Sequence, residues 1–380
     1  MGEFDLIERY FKRPERMVAR AAARASHASG PVPVAPDPRA LAACNASPAL
    51  AGARVSLGIG DDCALLLPAP GTQLAISSDM LVEGRHFLST VDPAALGHKA
   101  LAVNLSDLAA CGAKPLAFTL ALALPQADEA WLAPFSRGLL ALADEHGCEL
   151  IGGDTTRGPL NICITVFGEV PMLNGKSQAL LRSGAQAGDD IYVSGTLGDA
   201  RLALEVFRGT LTVPAEVFAE ARLRMEQPTP RVALGMALRG IATAAIDVSD
   251  GLLGDLGHIL KASNVGATVQ TDFAIELISN YLYRTRAIGL FDGYISEKQC
   301  LEYVLAGGDD YELAFTAPTS ARDRVQAASA TAGVCVTKIG QIDAAPGLRL
   351  VDTRGRGVAN TFDAFDHFRV SPAPTHPTVS

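Results

Sequence analysis

Six short acidic clusters, each punctuated by glycine, serine or asparagine, interrupt an otherwise apolar chain: Gly60-Asp61-Asp62, Ser77-Ser78-Asp79, Asn104-Leu105-Ser106-Asp107, Gly152-Gly153-Asp154, Asp247-Val248-Ser249-Asp250 and Gly307-Gly308-Asp309-Asp310. They sit beside runs such as Leu74-Ala75-Ile76 and Ala244-Ala245-Ile246. Packing those runs strips water from the neighbouring carboxylates, which is unfavourable unless a partner replaces the lost hydration. A divalent cation is such a partner. Oxygen-only donors on several loops suit Mg2+, which keeps part of its water shell and shares its remaining positions with phosphate groups. The pattern therefore predicts a nucleotide phosphate held through metal.

The bulk numbers narrow the classes. A length of 380 residues favours two domains, and 48% hydrophobic with 19% charged residues is a globular composition. A net charge of -9 argues against a nucleic-acid surface, which needs clustered Lys and Arg. Seven widely spaced cysteines without a C-x-x-C pair exclude an obvious zinc or redox motif and predict free thiols in a reducing cytoplasm. Glu3, Asp5 and Glu8 stand where a signal peptide would carry positive charge, and no apolar run reaches membrane-spanning length. The expected location is the cytoplasm, with no membrane partner.

Along the chain, residues from Arg13 to Arg54 are rich in Ala, Pro and Ser and read as a surface insertion, with one Ala-rich helix near Met17-Ala25. The tail from Ser371 to Ser380 is proline-studded and reads as frayed. Between them lie two blocks of alternating strands and helices, which predicts an α/β layer in each. In the first block, strands are expected at Gln73-Ser78, Phe118-Leu124 and Asn161-Val170. One helix, started by Asp92-Pro93, runs to Cys111 and stops at Gly112, and another spans Glu129 to His146. In the second, strands are expected at Asp190-Ser194, Ala244-Ile246, Tyr311-Thr316 and Val334-Ile339. Helices are expected at Gly198-Arg208, from Pro228-Thr229-Pro230 to Gly240, and after an N-cap at Ser249.

The clusters differ in what they signal. Asp247-Val248-Ser249-Asp250 has a purely structural reading as helix cap and first turn, and a functional one in which Asp247 leans toward a cation over the helix amides. Ser77-Ser78-Asp79 ends an apolar strand, where its oxygens would form a nest for a hard cation. Gly60-Asp61-Asp62 and Gly153-Asp154 read as turns, and Gly188-Asp189-Asp190 and Gly198-Asp199 read as turns outside any site. Gly175-Lys176-Ser177 mimics the end of a P-loop, but Val170 occupies the place of its opening glycine. Gly58-Ile59-Gly60 starts like a dinucleotide fingerprint, but Cys63 stands at the third glycine.

Taken in order, Gly2-Glu3-Phe4, Gly58-Ile59-Gly60-Asp61-Asp62, Ser77-Ser78-Asp79, Asn104-Leu105-Ser106-Asp107-Leu108-Ala109-Ala110, Gly152-Gly153-Asp154-Thr155-Thr156, Arg182-Ser183-Gly184, Asp247-Val248-Ser249-Asp250-Gly251-Leu252 and Gly307-Gly308-Asp309-Asp310-Tyr311-Glu312-Leu313 resemble the bacterial thiamine-monophosphate kinase family. That family belongs to the ATP-binding superfamily of aminoimidazole ribonucleotide synthetase and selenophosphate synthetase. The resemblance implies a two-domain α/β (α+β) architecture, with an N-terminal domain forming a dimer-spanning β-barrel and a C-terminal α/β sandwich. It assigns residues 1-172, with the insertion 13-54, to ATP and Mg2+ binding and dimerisation, 182-345 to the second domain, and 346-380 to a C-terminal segment and tail. The implied partners are thiamine monophosphate, ATP, several Mg2+ ions and a second copy of the chain.

The resemblance also implies roles for residues. Its magnesium ligands fall on Asp62, Ser77, Ser78, Asp79, Asp107, Asp154, Asp247 and Asp250, of which Asp79, Asp107 and Asp247 would bear most on catalysis. Its nucleotide contacts fall on Gly153, Asp154, Arg182 and Ser249, and its substrate contacts on His86, Asp309 and Phe362. Ser78, Asp309 and Phe362 stand where threonine, glutamate and tryptophan occur in relatives. Two other readings have signatures of their own. A selenophosphate synthetase would carry a reactive Cys in an N-terminal glycine-rich loop, and the hydrogenase-maturation relative would end in cysteine, whereas this sequence ends Thr378-Val379-Ser380. A non-catalytic cation-binding scaffold would explain the aspartates but not the hydroxyls, glycines and Arg182 beside them.

Overall fold

A computed structural model describes residues 3–12, 54–278 and 295–362. The expected helix near Met17-Ala25, nearly all of the insertion, and the tail lie outside the described residues. The chain divides into two compact units, one of Met1–Asn104 and Lys114–Ser177, the other of Leu105–Ala113 and Gln178–Ser380.

The first unit contains α1 (Glu3–Tyr10), β1 (Val55–Leu57), β2 (Leu65–Leu66), β3 (Thr72–Val82), the start of α2 (Pro93–Ala110), β4 (Lys114–Leu124), α3 (Glu129–Glu145), β5 (Glu149–Arg157), β6 (Asn161–Leu173) and β7 (Lys176–Ser177). Asp92 caps α2 as the sequence predicts, its Oδ1 accepting the N–H groups of Ala94 (2.9 Å) and Ala95 (3.1 Å). The helix ends before Gly112, which takes the left-handed φ of 66°. Helices α2 and α3 meet backbone to backbone, since a Cβ on Gly97 would stand 2.1 Å from Phe135 O and one on Gly138 1.9 Å from Ala94 O.

The main sheet runs β3-β6-β4-β5, antiparallel except for the parallel pair β4 and β5. Its strands are longer than the sequence suggests because Ser77-Ser78-Asp79 does not end β3, which continues to Val82 paired with Asn161. Asn174 (φ 51°) and Gly175 (φ 74°) make the two-residue turn between β6 and β7. The would-be P-loop fragment is therefore a hairpin.

The second unit holds β8 (Asp190–Ser194), α4 (Asp199–Phe207), α5 (Ala215–Glu226), α6 (Val232–Ala237), β9 (Ala244–Val248), α7 (Leu252–Ser263), β10 (Gly266–Gln270), α8 (Thr271–Ala274), α9 (Glu297–Ala306), β11 (Glu312–Ala317), α10 (Arg322–Ala332), β12 (Val336–Asp343), β13 (Gly347–Val351) and β14 (Gly357–Val358). Its seven-stranded sheet has the order β14-β13-β10-β12-β8-β11-β9. β8, β9 and β11 are buried along their whole length, which is why they read as continuous apolar runs and not as alternations. They pack against Leu202, Leu252, Leu256, Ile259 and Val304 from the helices.

Gly188-Asp189-Asp190 does more than reverse the chain. Asp190 is fully buried and pairs with Arg322 (Nη2, 3.0 Å) and Lys338 (3.1 Å), and Asp189 accepts the Thr243 hydroxyl at 2.6 Å. The two cations hold the Asp190 carboxyl below its ordinary range against the opposing pull of burial. Asp199 is likewise buried in the first turn of α4, bonded to the Thr196 hydroxyl. A carboxylate at the mouth of an apolar strand can thus be a structural anchor.

Candidate functional site

In the first unit the pleat decides which oxygens of Ser77-Ser78-Asp79 share a face. Side chains alternate along a strand, so Ser77 and Asp79 point one way and Ser78 the other. The single side-chain nest expected there is not formed. Ser78 Oγ bonds across to β6, at 3.0 Å from Thr165 Oγ1 and 3.1 Å from Ile164 O. Asp79 is set by Asn104, a buried side chain whose Oδ1 accepts the Asp79 N–H at 3.1 Å while its amide donates to Ala100 O. Asp62 is exposed, and its own N–H is taken by Asp61 Oδ1. His86 follows β3 in a tight turn, and its Nδ1 accepts the Val82 N–H at 3.0 Å, so the ring proton belongs on Nε2.

Gly153 and Asp154 were expected in a turn but lie inside β5, opposite Leu120 and Ala121 of β4. Gly153 has φ 146°, and a Cβ there would stand 1.8 Å from Leu120 O. Only glycine lets the two strands come this close, and the apolar residues expected of a strand are missing for that reason. Asp154 is exposed beside it.

The second unit builds its part around the turn 248–251. Asp247, next to last in β9, is 6% exposed and receives the hydroxyl of Ser106 on Oδ2 at 2.8 Å. Ser249 does not cap the following helix as expected. The position before Leu252 is Gly251, at φ 114°, without a side-chain cap. Asp255, inside the first turn of α7, instead accepts the N–H groups of Ser249 and Asp250 on Oδ2, both at 3.0 Å. Burial pushes the Asp255 carboxyl up to about 7, against the opposing effect of these N–H donors.

The other wall of the turn is the loop 307–311. Asp309 N donates to Ser249 O at 2.8 Å and Tyr311 N to Val248 O at 2.9 Å. Asp309 (φ 63°) and Tyr311 (φ 54°) are both left-handed, a strained state for residues that carry side chains. Between them Asp310, wholly buried, accepts Gly198 N at 2.9 Å and Ala200 N at 3.4 Å, and burial drives its carboxyl well above the ordinary range. Within the second unit the structure therefore brings Asp247, Ser249, Asp250 and Asp309 to adjoining turns. The side chains of Ser249 and Asp250 make no hydrogen bond or ion pair among the described residues.

Of the remaining expected residues, Asp107 is half-buried in the last turns of α2. Arg182 is exposed on a loop tied to the end of α7 by Ser263, whose hydroxyl donates to Arg182 O and accepts Gly184 N and Ala185 N. Phe362 is half-buried against the apolar core of the second unit, which is packing. Sequence reasoning placed Asn104, Ser106 and Asp310 in the acidic clusters without giving them a role, and it passed over Asp255. The available signal was a polar residue on an element otherwise apolar all round.

Among the described residues no three His, Cys, Asp or Glu side chains form a ready metal cage. The donor set is nevertheless all oxygen, carboxylates with hydroxyls beside them, which fits Mg2+ that arrives with a phosphate and keeps its waters better than a cation held by protein alone. The six described cysteines are free thiols, and none belongs to the donor set.

Residues 60–170 match the family model of AIR synthase related protein, N-terminal domain, and residues 186–353 that of AIR synthase related protein, C-terminal domain. The chain is 48% identical over 318 residues to the thiamine-monophosphate kinase of Salmonella typhimurium strain LT2, a match covering 83% of this chain and 92% of that protein. Its fold is similar to the crystal structure of thiamine-monophosphate kinase from Stenotrophomonas maltophilia K279a, with a TM-score of 0.71, 45% identity, and coverage of 81% and 94% of the two chains. A solved structure described as "AaThiL complexed with AMPPCP and TMP" is also similar, at TM-score 0.66 and 28% identity over 80% of this chain and 89% of that one.

Proposed function

The chain belongs to the thiamine-monophosphate kinase family, and from that premise we propose that it transfers the γ-phosphoryl group of ATP directly onto a phosphate oxygen of thiamine monophosphate, releasing ADP and thiamine diphosphate in the last step of that cofactor's biosynthesis. The observation that carries this reading is the braced turn 248–251. Its main chain is held from behind by Asp255, Asp309 N and Tyr311 N, which leaves Ser249 and Asp250 to meet a ligand. A bound ATP analogue and TMP in a related structure support the same pair of substrates.

The chemistry asks for alignment and charge neutralisation more than for proton transfer. A phosphate monoester with a second pKa of about 6 is mostly ionised at neutral pH, so the acceptor oxygen needs no general base. Two phosphate charges brought to about 4 Å repel by roughly 4 kcal/mol at an effective dielectric near 20. Bound Mg2+ would supply the compensating charge. Within the first unit Asp62, Ser77, Asp79 and Asp154 would serve as Mg2+ ligands, and within the second unit Asp107, Asp247 and Asp250 would do so. The Ser78 hydroxyl, on the reverse face of β3, is left out of this set. Arg182, Gly153 and Ser249 would orient the nucleotide, and His86 and Asp309 the acceptor. Phe362, half-buried against the core of the second unit, remains a proposed contact for the acceptor.

The proposed organisation is an N-terminal nucleotide, metal and dimerisation domain over 1-172 and a C-terminal domain over 182-345. Among the described residues no helix is long and apolar enough to cross a membrane, and the proposed location is the cytoplasm. A homodimer sharing a barrel through β3 is supported by the outward face of that strand. Leu74 (38%), Ile76 (60%) and Met80 (55%) expose a stripe of apolar side chains at every second position, apart from Ser78. Ile76→Asp is expected to halve the mass measured by light scattering while the far-ultraviolet spectrum stays unchanged. An unchanged mass would remove β3 from the interface.

The activity itself is tested by incubating the protein with ATP, Mg2+ and thiamine monophosphate. Thiamine diphosphate and ADP are expected in equal amounts. Release of free phosphate alone, or turnover that requires an aminoimidazole precursor or selenide, would overturn the assignment.

A further inference from the structure

Ser106 has no assigned part in the site, yet its environment gives it one. On α2 its neighbours Ala102, Val103, Leu105, Leu108 and Ala109 are buried apolar side chains, and Ser106 itself is 0% exposed. A hydroxyl at such a position is destabilising unless it is hydrogen-bonded, and alanine would fill the place with no polar group to satisfy. Its partner lies 141 residues away in sequence. Ser106 Oγ donates to Asp247 Oδ2 at 2.8 Å, with the acceptor itself 6% exposed. A hydroxyl donated to an ionised carboxylate is among the stronger hydrogen bonds a serine can make.

The backbone of Asp247 is already fixed by the sheet, where it lies opposite Leu313 of β11. What pairing leaves undetermined is the rotation of the carboxylate about its side-chain bonds, which the Ser106 bond constrains at Oδ2. We infer that Ser106 is a positioning residue for the reaction, orienting the Asp247 carboxylate toward the divalent cation by occupying one lone pair of Oδ2. The inference rests on the reading of Asp247 as a metal ligand. Outer hydrogen-bond partners of metal ligands act in this way, and their loss typically lowers metal affinity by about 10- to 100-fold.

The test is titration of the full chain with Mn2+ alone, free manganese being followed by electron paramagnetic resonance, for the wild type, Ser106→Ala, Ser106→Cys and Asp247→Asn. Thermal melting of each variant is recorded in parallel. Ser106→Ala is expected to weaken Mn2+ binding by about 10- to 100-fold with the melting curve retained, and Ser106→Cys, nearly the same volume with a weaker donor, to fall between it and the wild type. In turnover, Ser106→Ala should raise the Mg2+ concentration at half-maximal rate while kcat at saturating Mg2+ recovers, a split that mere loosening of the helix would not give. Binding within threefold of wild type in both serine variants would overturn the role of Ser106 and leave the metal reading standing. Absence of saturable Mn2+ binding in the wild type would remove the metal reading and this inference together.

Discussion

Asp247→Asn is expected to lower kcat about a hundredfold to a thousandfold, equivalent to the loss of roughly 3–4 kcal/mol of transition-state charge stabilisation, while the protein melts at its normal temperature. The substitution keeps volume and shape at the end of β9, and an amide oxygen can still accept the Ser106 hydroxyl, so the buried contact between α2 and β9 survives. The substitution removes the negative charge and exchanges one acceptor oxygen for an NH2 donor. Because Mg2+ binds an amide oxygen far more weakly than a carboxylate, the defect should deepen as Mg2+ becomes limiting. Asp79→Asn should behave alike, since Asn104 holds the Asp79 main chain and not its carboxylate. A kcat within threefold of wild type at limiting Mg2+ in both variants would take these residues out of the catalytic set.

How much of this was legible beforehand depended on whether the signal was local. The cap at Asp92-Pro93, the stop at Gly112 and the apolar strands β8, β9 and β11 follow from turn, capping and strand patterns within a few residues, whereas Gly175-Lys176-Ser177 could be rejected as a P-loop but not recognised as a hairpin. β5 was hidden because its glycines mark an approach to β4 that is tertiary in origin, and Gly152-Gly153-Asp154 looked like a turn as a result. Ser249 had the right residue type and place for an N-cap, yet Asp255 from inside the helix took the free N–H groups. The acidic clusters were visible as clusters. What sorted them into anchors such as Asp190 and ligand candidates such as Asp250 was the presence of Arg322 and Lys338 from distant helix and strand, which no spacing rule encodes.

Glu312 supplies the largest effect expected on stability. This side chain is fully buried at the start of β11, and each of its oxygens is engaged: Oε2 accepts the Ser194 hydroxyl and Arg231 Nε, both at 2.6 Å, and Oε1 accepts Arg224 Nη2 at 2.6 Å and Arg231 Nη2. Room for the carboxylate exists only because residue 195 is glycine, whose Cβ would otherwise lie 2.2 Å from Oε1. Glu312→Ala strands two guanidinium groups that are 21% and 14% exposed without a counter-charge, and removing one partner of a buried pair typically destabilises by about 3–5 kcal/mol. Residual water access to the arginines places the effect near the lower end, about 3 kcal/mol, or a fall in Tm of roughly 6–12 °C. The surface pair Arg9–Glu129, with side chains 56% and 60% exposed, is the natural control, and Glu129→Ala should alter stability by less than about 1 kcal/mol. Equal losses in the two variants would mean that Glu312 is not the hub of a buried charge cluster. A selective loss carries a functional consequence, because Glu312 directly follows the loop 307–311 that clamps Val248 and Ser249. Loosening the start of β11 should therefore weaken nucleotide and metal binding before the second unit unfolds.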